Sequence, residues 1–450
     1  MTDIALPPPD LVEVMEFPSL EEIEFGDVLA LSLSSRTNEL THGLHRFPAK
    51  YIPQVPRWAL REFARPGDVV LDPFLGSGTT SVEAASFPVA SVGVEFDPLA
   101  LEIARAKADP PASTDVETAW RAAMGAWRDA APKASGLPMA GVENDDHWFD
   151  VDTRRSLAGL LAAVDAVDPP ADVRRFLLIL VSSVLRRVSR ADDQSMKTYV
   201  SGTNPKTPPS VEEVLSPAYE RALAGLREFE TRRHAAATRP QIIGGDARDL
   251  PLPDASVDLV ITSPPYLDSV DYQYNAMVEY FWLGPALGVA DRRSWNELRR
   301  RATGAKRPLA AEVEIPAAVR ELVDVKDVAP ARAQAVSTYL SDLDRHFKEA
   351  ARCVRPGGKY VLVVGNSSSE RKLVPVHDCL VRLAQANGFA LEKAFGYRLR
   401  RHYMKFPRNG RGGIILIDWI VVLERVDRPV DSTTRLPQLQ WRLPPDAVAH

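Results

Sequence analysis

The stretch Thr262-Ser-Pro-Pro-Tyr266 combines residue types that could hold a planar base. Its two prolines fix their own backbone angles and cannot donate hydrogen bonds, so the carbonyls beside them stay free to accept. Ser263 adds a small polar side chain, and Tyr266 offers an aromatic face on which a base could stack. The candidate catalytic residues are therefore Ser263, Pro264, Pro265 and Tyr266.

The residues before this stretch predict where it lies in the fold. The run from Val257 to Ile261 is apolar and rich in β-branched residues, which indicates a buried strand. The prolines end that strand, and Pro264 biases Ser263 toward an extended backbone. Because ligands bind at the carboxyl ends of the strands in open α/β sheets, the corner is predicted at the binding edge of a sheet.

A second pattern of strand, turn and helix runs from Asp68 to Thr80 and contains two glycines. Gly76 and Gly78 are predicted to let the backbone approach a ligand closely. The pattern is not a P-loop, because no lysine follows Gly78. It also departs from the dinucleotide fingerprint, because Ser81 takes the place of the third glycine.

The next predicted strand, Ala90 to Val94, is followed by two acidic residues, Glu95 and Asp97. An acidic residue at the end of a second strand can accept hydrogen bonds from both hydroxyls of a ribose. These two residues are therefore candidate contacts for a ribose.

Together these motifs resemble the DNA amino-methyltransferases that use S-adenosylmethionine. The resemblance rests on Asp72-Pro-Phe-Leu-Gly-Ser-Gly-Thr-Thr80, on Thr262-Ser-Pro-Pro-Tyr266 and on the upstream segment His42-Gly-Leu-His-Arg-Phe-Pro-Ala-Lys-Tyr-Ile-Pro-Gln54. With the strands around them, these motifs cover about half of the chain. The resemblance implies S-adenosylmethionine as the cofactor, with the upstream segment closing over its methionine end and Asp246 accepting from the amine of its adenine. The cofactor-binding residues it implies are Lys50, Asp72, Pro73, Phe74, Gly76, Ser77, Gly78, Thr79, Thr80, Glu95, Asp97, Asp246 and Ala247.

The family's catalytic motif also bears on the product. Asp-Pro-Pro-Tyr or Asn-Pro-Pro-Tyr usually marks adenine N6 methylation, and Ser-Pro-Pro-Tyr usually marks cytosine N4. The resemblance therefore implies methylation of N4 of a flipped cytosine in double-stranded DNA. Three alternatives stay open: adenine N6 methylation at the same corner, methylation of structured RNA, and a DNA-binding regulator that keeps the fold without catalysis. A cognate restriction endonuclease or another defence system is a candidate partner.

The composition describes a soluble globular chain and restricts its chemistry. The 450 residues are 45% hydrophobic and carry a net charge of −5, so a DNA binder of this composition must concentrate its positive charge locally. Neither Cys353 nor Cys379 follows a proline, and the two form no Cys-x-x-Cys pair. A disulfide framework, the nucleophile of cytosine-C5 methylation and a metal site are therefore not expected. No signal peptide or membrane-length apolar run is visible, and we expect a cytoplasmic, nucleoid-associated protein.

The alternation of strands and helices predicts an α/β fold. With the resemblance, it indicates a doubly wound, mostly parallel, seven-stranded Rossmann-like methyltransferase sheet with a helical insertion. Residues 1–40 are predicted as an N-terminal extension, 41–109 and 241–425 as the catalytic domain, 110–240 as the insertion and 426–450 as a tail. Within the insertion, Ser216 and Pro217 are predicted as the N-cap and first residue of a helix.

Local positive charge is the signal for DNA contact in this acidic chain. The insertion carries a basic, aromatic-bearing stretch from Arg186 to Lys206, and the stretch from Arg398 to Arg408 contains no acidic residue. A further basic cluster between Arg292 and Arg307 could neutralise phosphates. The predicted DNA-binding residues are Arg186, Arg190, Lys197, Arg400, Arg401 and Lys405.

Overall fold

The computed structural model of the chain describes residues 13–14, 16–31, 36–47, 50–129, 136–193, 197–267, 271–305, 313–323, 330–365, 367–369, 372–398 and 417–430. The strands are β1 (Glu13–Val14), β2 (Val28–Leu31), β3 (Val69–Asp72), β4 (Ala90–Glu95), β5 (Gln241–Gly244), β6 (Val257–Thr262), β7 (Val354–Gly365), β8 (Ser367–Ser369), β9 (Lys372–Val374), β10 (Phe389–Arg398) and β11 (Ile417–Arg425). The α-helices are α1 (Gln54–Phe63), α2 (Thr79–Ala84), α3 (Pro98–Ala108), α4 (Ser113–Asp129), α5 (Asp145–Trp148), α6 (Val151–Val167), α7 (Ala171–Val188), α8 (Val211–Arg232), α9 (Tyr272–Asn275), α10 (Met277–Leu283), α11 (Arg292–Arg301), α12 (Pro330–Cys353) and α13 (Val376–Ala386). Short 3₁₀ helices occupy Arg36–Asn38, Leu40–Gly43, Gly284–Leu287 and Ala317–Val319.

One sheet contains nine of these strands, in the order β1-β2-β10-β11-β7-β6-β3-β4-β5, while β8 and β9 pair separately. Seven adjacent strands of this sheet are β10, β11, β7, β6, β3, β4 and β5. The five from β7 to β5 in this order pair in parallel, and β11 runs antiparallel to both of its neighbours, β10 and β7. This arrangement confirms the predicted mostly parallel seven-stranded sheet. Strand β2 pairs in parallel with β10 and β1 with β2, so residues of the predicted N-terminal extension add two strands at that edge.

Helices cover both faces of the sheet, because the side chains of its central strands are buried on both faces. Leu259 and Ile261 of β6 pack on one face in a cluster with Trp58 of α1. Val260, which points the other way, packs in a cluster with Leu343 of α12. Parallel strands buried on both faces carry apolar runs, and β6 is apolar except for Asp258 and Thr262.

The helices α4, α6, α7 and α8 form a separate apolar core with parts of the catalytic region. Phe176 of α7 and Leu226 of α8 are buried in the same cluster as Tyr280 of α10 and Trp295 of α11. The insertion is therefore packed against the chain segment that follows the catalytic corner. None of the helices in the described ranges is both long and apolar enough to cross a membrane.

Helix α8 begins earlier than the sequence predicted. Ser210 is its N-cap, and a reciprocal capping box joins Ser210 to Glu213, while Pro217 lies inside the helix. The prediction of Ser216 and Pro217 as the helix start was wrong because the capping box satisfies the first backbone donors. Pro217 then costs the helix one internal hydrogen bond.

Candidate active site

A cleft lies at the carboxyl ends of the parallel strands, where the chain order reverses between β3 and β6. Its empty volume, including the solvent at its mouth, is about 1240 Å³. One wall consists of segments that follow four strands: Pro73–Ser77, Glu95–Asp97, Gly245–Arg248 and the corner residues Ser263, Pro265 and Tyr266. The remaining lining comes from Phe47, Lys50, Tyr51, Thr79, Val94, Asp271–Gln273, Arg299 and Arg301–Ala305.

The cleft brings together most of the predicted cofactor residues. Those that line it are Lys50, Pro73, Phe74, Gly76, Ser77, Thr79, Glu95, Asp97, Asp246 and Ala247. Asp72, Gly78 and Thr80 are not part of the lining, and neither is Pro264 of the catalytic corner, which is buried. For these four residues, contact with a ligand remains a prediction.

The two glycines of the turn face different neighbours. Both have left-handed backbone angles, with φ of 52° at Gly76 and 87° at Gly78. A Cβ on Gly76 would lie 3.6 Å from Cε1 of Phe47, which is itself part of the cleft wall. A Cβ on Gly78 would lie 3.1 Å from Cα of Ala104 in α3. Gly78 therefore allows close packing of α2 on α3, and its approach to a ligand remains a prediction.

Asp72 joins the glycine turn to the catalytic corner instead of facing the cleft. Its buried carboxylate accepts hydrogen bonds from Thr80 Oγ1 at 2.6 Å and from Thr262 Oγ1 at 2.7 Å. Tyr51 OH also donates to Asp72 at 3.2 Å and is hydrogen-bonded to Thr80. Burial raises the pKa of Asp72. Asp72 and Thr80 thus tie together β3, α2 and the end of β6, and their contact with the cofactor remains a prediction.

Glu95 lines the cleft and holds the glycine turn against β4. Its two carboxylate oxygens accept from the backbone N–H groups of Gly76 and Asp97, each at 2.8 Å. Burial, together with the neighbouring Asp97 carboxylate, raises the pKa of Glu95 to about 8. Each oxygen keeps a lone pair that can accept a further hydrogen bond from a ligand hydroxyl.

Asp97 is more fully occupied by protein contacts. Its side chain caps α3 through the N–H of Ala100 at 2.9 Å. It also accepts from Gln273 Nε2 at 2.9 Å and from Tyr280 OH at 2.8 Å. These bonds fix α9 and α10 to the end of β4, which leaves Glu95 as the better candidate for the ribose.

Asp246 has a partner that the sequence motif did not predict. Arg248 donates to both of its oxygens, from Nε at 2.8 Å and from Nη2 at 2.7 Å. Burial alone would raise the pKa of Asp246, but the hydrogen bonds from Arg248 hold it below the usual value. Arg248 also bonds Asp342 at 2.9 Å, and it lines the cleft beside Asp246. The carboxylate is therefore ionised and held in one orientation.

At the catalytic corner, Tyr266 is oriented by a residue far away in the sequence. Its hydroxyl donates to Asp418 Oδ1 at 2.9 Å, and Tyr397 OH donates to Asp418 Oδ2 at 3.0 Å. Asp418 belongs to β11 and is buried, which raises its pKa to about 6. Sequence reasoning missed Asp418, although a lone acidic residue in the apolar run Ile417–Leu423 was a usable signal.

Lys50 and Ser77 lie at another part of the cleft lining. The amine of Lys50 donates to the carbonyl of His42 at 3.3 Å, and burial lowers its pKa to about 8. Ser77 Oγ is buried and has no hydrogen-bond partner among the described residues. Both residues line the cleft, and a cationic donor and an unsatisfied hydroxyl are groups that suit a ligand carboxylate.

The predicted DNA-binding arginines of the insertion are engaged with backbone carbonyls. Arg186 donates to the carbonyls of Asp192 and Lys197, at 3.0 Å and 2.9 Å, and Arg190 donates to that of Asp146 at 2.6 Å. These contacts brace the loop after α7. Lys197 is exposed. The other predicted contacts, Arg400, Arg401 and Lys405, lie outside the described residues.

The fold and the cleft together indicate the class of protein. The nine-stranded sheet, with β11 antiparallel to its neighbours and a cleft at the switch point, has the architecture of a Rossmann-like methyltransferase. Such enzymes use S-adenosylmethionine as their cofactor. No cluster of three or more metal-ligating side chains occurs in the described ranges.

Comparison with known proteins gives the family. The model of the N6/N4 DNA methylases matches residues 18–106. The chain is 27% identical to the Type II methyltransferase M.MvaI of Kocuria varians, over 84% of this chain and 86% of that protein. It is 22% identical to the Type II methyltransferase M.BsoBI of Geobacillus stearothermophilus, over 90% of each. These matches support an S-adenosylmethionine-dependent DNA amino-methyltransferase of the N4/N6 family.

Solved structures resemble the chain more distantly. A S-adenosylmethionine-dependent methyltransferase from Methanosarcina mazei is 12% identical, with 81% of this chain and 95% of that chain covered and a TM-score of 0.29. TrmN from Thermus thermophilus is 15% identical, with 84% and 49% covered and a TM-score of 0.26. The fold is therefore assigned from the strand order of this chain and not from these superpositions.

Proposed function

We propose that this protein methylates the exocyclic N4 amine of a cytosine that is turned out of a DNA duplex. The observation that carries the proposal is that the Ser263–Tyr266 corner and the Gly76 turn share one cleft. A base inside a duplex cannot reach such a cleft, so the target nucleotide must leave the stack.

The cofactor end of the cleft fits S-adenosylmethionine through groups that the protein leaves available. Glu95 is placed to accept from the ribose hydroxyls, and Asp246 from the adenine amine. The buried Ser77 hydroxyl and the Lys50 amine suit the methionine carboxylate. When bound, the cofactor supplies an electrophilic methyl group.

The catalytic end must raise the nucleophilicity of an aryl amine. The lone pair of such an amine is delocalised into the ring, and acceptors that pull on its N–H groups favour the pyramidal form found in the transition state. Ser263 lines the cleft and is the proposed side-chain acceptor. The Pro264 carbonyl remains a predicted second acceptor.

Tyr266 is proposed to hold the flipped base by stacking. Tyr266 lines the cleft, and its hydroxyl donates to Asp418 at 2.9 Å. A ring with a fixed plane can hold the base in line with the methyl group, which lowers the entropic part of the barrier.

The preference for cytosine rests on Ser263. The adenine enzymes that this chain resembles usually carry Asp or Asn at this position, and serine is shorter. A short acceptor suits a base whose amine sits close to the corner. Adenine N6 is the alternative product, and the same cleft could accept it.

Turnover of Tyr266 variants tests the catalytic corner. Transfer of labelled methyl groups to mixed-sequence duplex DNA would be compared for wild type, Tyr266→Ala and Tyr266→Phe. Loss of stacking is worth about 1–3 kcal/mol per base, so we expect Tyr266→Ala to slow transfer by about 5- to 150-fold. Tyr266→Phe keeps the ring and should lose less. Near-normal turnover of Tyr266→Ala with intact cofactor binding would show that Tyr266 does not face the base.

The DNA contacts outside the cleft remain predictions. Reversing Arg400, Arg401 and Lys405 to acids should weaken DNA binding and flatten its salt dependence, with cofactor affinity unchanged. Unchanged DNA affinity and salt slope would place this stretch away from the duplex. By analogy with its Type II relatives, a cognate restriction endonuclease is the proposed partner.

A further inference from the structure

Helix α11 is strongly basic in a protein of net charge −5. Its ten residues, Arg292–Arg301, include five arginines and one glutamate. Arg293 has 88% of its side chain exposed, and Arg300 and Arg301 are also exposed. The helix therefore presents concentrated positive charge to solvent, which is what DNA recognition by an acidic chain requires.

Helix stability alone does not account for this charge. Arginines in the last turn complement the negative end of a helix dipole, but Arg292 and Arg293 occupy the first turn, where positive charge is unfavourable. The first turn contains no acidic residue. Within the helix, Glu297 pairs with Arg293 at 3.2 Å, and Asp271 outside it pairs with Arg299.

The inward arginines fix the helix in place and leave the others outside. Arg292 and Arg299 stack over the ring of Trp295, with Cζ at 4.4 Å and 4.7 Å from its centroid. Trp295 is itself buried in the core that the insertion shares with α10. The exposed arginines are thus carried by a helix that is anchored along its inner side.

Two contacts connect α11 to the active-site cleft. Arg299 pairs with Asp271 at 2.5 Å, and both residues line the cleft. The Arg301 carbonyl accepts from Arg248, the residue that orients Asp246, at 3.1 Å. The exposed arginines therefore have a defined position relative to the catalytic corner.

We propose that the exposed arginines of α11 bind the phosphates of the DNA duplex beside the cleft and so position the target nucleotide at its mouth. This inference rests on the proposed action on DNA. Arginine binds phosphate through paired N–H donors. Contacts to phosphate fix the position of a protein on a duplex without reading its sequence.

The test is the salt dependence of DNA binding by an Arg293→Gln/Arg300→Gln variant. Neither residue lines the cleft, so cofactor affinity should equal that of wild type. The slope of log K against log salt is negative, and each lost phosphate contact makes it shallower by about 0.9. Two lost contacts should therefore make the slope shallower by about 1.8 and weaken binding of a short mixed-sequence duplex by about 30-fold at 0.15 M salt.

The matched control neutralises two arginines on other helices. Arg174 of α7 and Arg227 of α8 are 43% and 56% exposed and are each paired with an acidic residue. Arg174→Gln/Arg227→Gln makes the same change in net charge and should keep the wild-type slope. An unchanged slope in the α11 variant, or the same decrease in the control, would overturn the inference. Failure of wild type to bind duplex DNA at all would instead refute the proposed function.

Discussion

Alanine substitutions at Gly76 and Gly78 should separate ligand contact from helix packing. The two positions lie in one turn, and both have positive φ, so each alanine pays about 1–2 kcal/mol for a left-handed backbone. At Gly78 the new Cβ would also lie 3.1 Å from Cα and 3.2 Å from Cβ of Ala104. The backbone of α3 cannot easily move away, and overpacking of this kind lowers the free energy of unfolding by a further amount of about 1–3 kcal/mol.

The expected loss of stability is therefore about 2–5 kcal/mol for Gly78→Ala and about 1–2 kcal/mol for Gly76→Ala. For cofactor binding we expect the opposite order, with the larger loss of affinity in Gly76→Ala. The Cβ of Gly76→Ala projects toward Phe47 within the cleft, where the ligand must lie, so affinity should fall by about tenfold or more, or about 1.4 kcal/mol. Folded Gly78→Ala should bind the cofactor nearly as wild type does.

Urea denaturation and titration calorimetry of both variants provide the measurements, and each variant is the control for the other. A stable Gly78→Ala protein with weakened cofactor binding would refute the reasoning. So would a Gly76→Ala protein with unchanged affinity, because Gly76 could not then face the ligand.

Two further predictions concern charges and hydrogen bonds in the cleft. The ionised form of Glu95 accepts best from ribose hydroxyls, and its pKa of about 8 makes affinity for the cofactor rise as the pH increases toward 8. Lys50, with a pKa also of about 8, loses its charge above that pH, so affinity should fall again. Calorimetry should show only the falling limb for Glu95→Gln, and a persisting rise would exclude Glu95 as the group responsible. Asp418→Ala and Tyr266→Phe both remove the Tyr266–Asp418 hydrogen bond, worth about 1 kcal/mol, so each should lower kcat by about fivefold or more, and the loss in the double variant should be smaller than the product of the two. Fully additive losses would mean that Asp418 does not act through Tyr266.

The sequence predicted those parts of the site that are contiguous in the chain. The corner from Ser263 to Tyr266, the Gly76 turn and Glu95 each follow a predicted strand, and parallel strands bring such ends to one edge of a sheet. The mostly parallel methyltransferase sheet was likewise indicated by the resemblance that these motifs carry. Local patterns were sufficient here because chain direction fixes which strand ends meet.

Contacts between distant segments could not be predicted in this way. Asp418 reaches Tyr266 from β11, and Arg248 reaches back to Asp246 and across to the Arg301 carbonyl. Neither contact follows from spacing, because each depends on the tertiary path of the chain. Asp418 could have been noticed only as an acidic residue in an apolar strand.

Other predictions from the sequence differ from the structure because one residue type can serve two roles. Gly78 has the positive φ that a ligand-binding turn uses, but the same property allows close approach of a helix. Arg186 and Arg190 form part of a basic stretch, yet their guanidinium groups bond to backbone carbonyls. A sequence shows where positive charge occurs along the chain and does not show which way a side chain turns.

Transfer of a methyl group to cytosine N4 in DNA is tested most directly by the identity of the methylated nucleoside. Purified protein, labelled S-adenosylmethionine and mixed-sequence duplex DNA would be incubated, digested to nucleosides and resolved by mass spectrometry. The proposed function predicts label in N4-methyldeoxycytidine. Label in N6-methyldeoxyadenosine would contradict the choice of base, and absence of label from DNA would contradict the proposed activity.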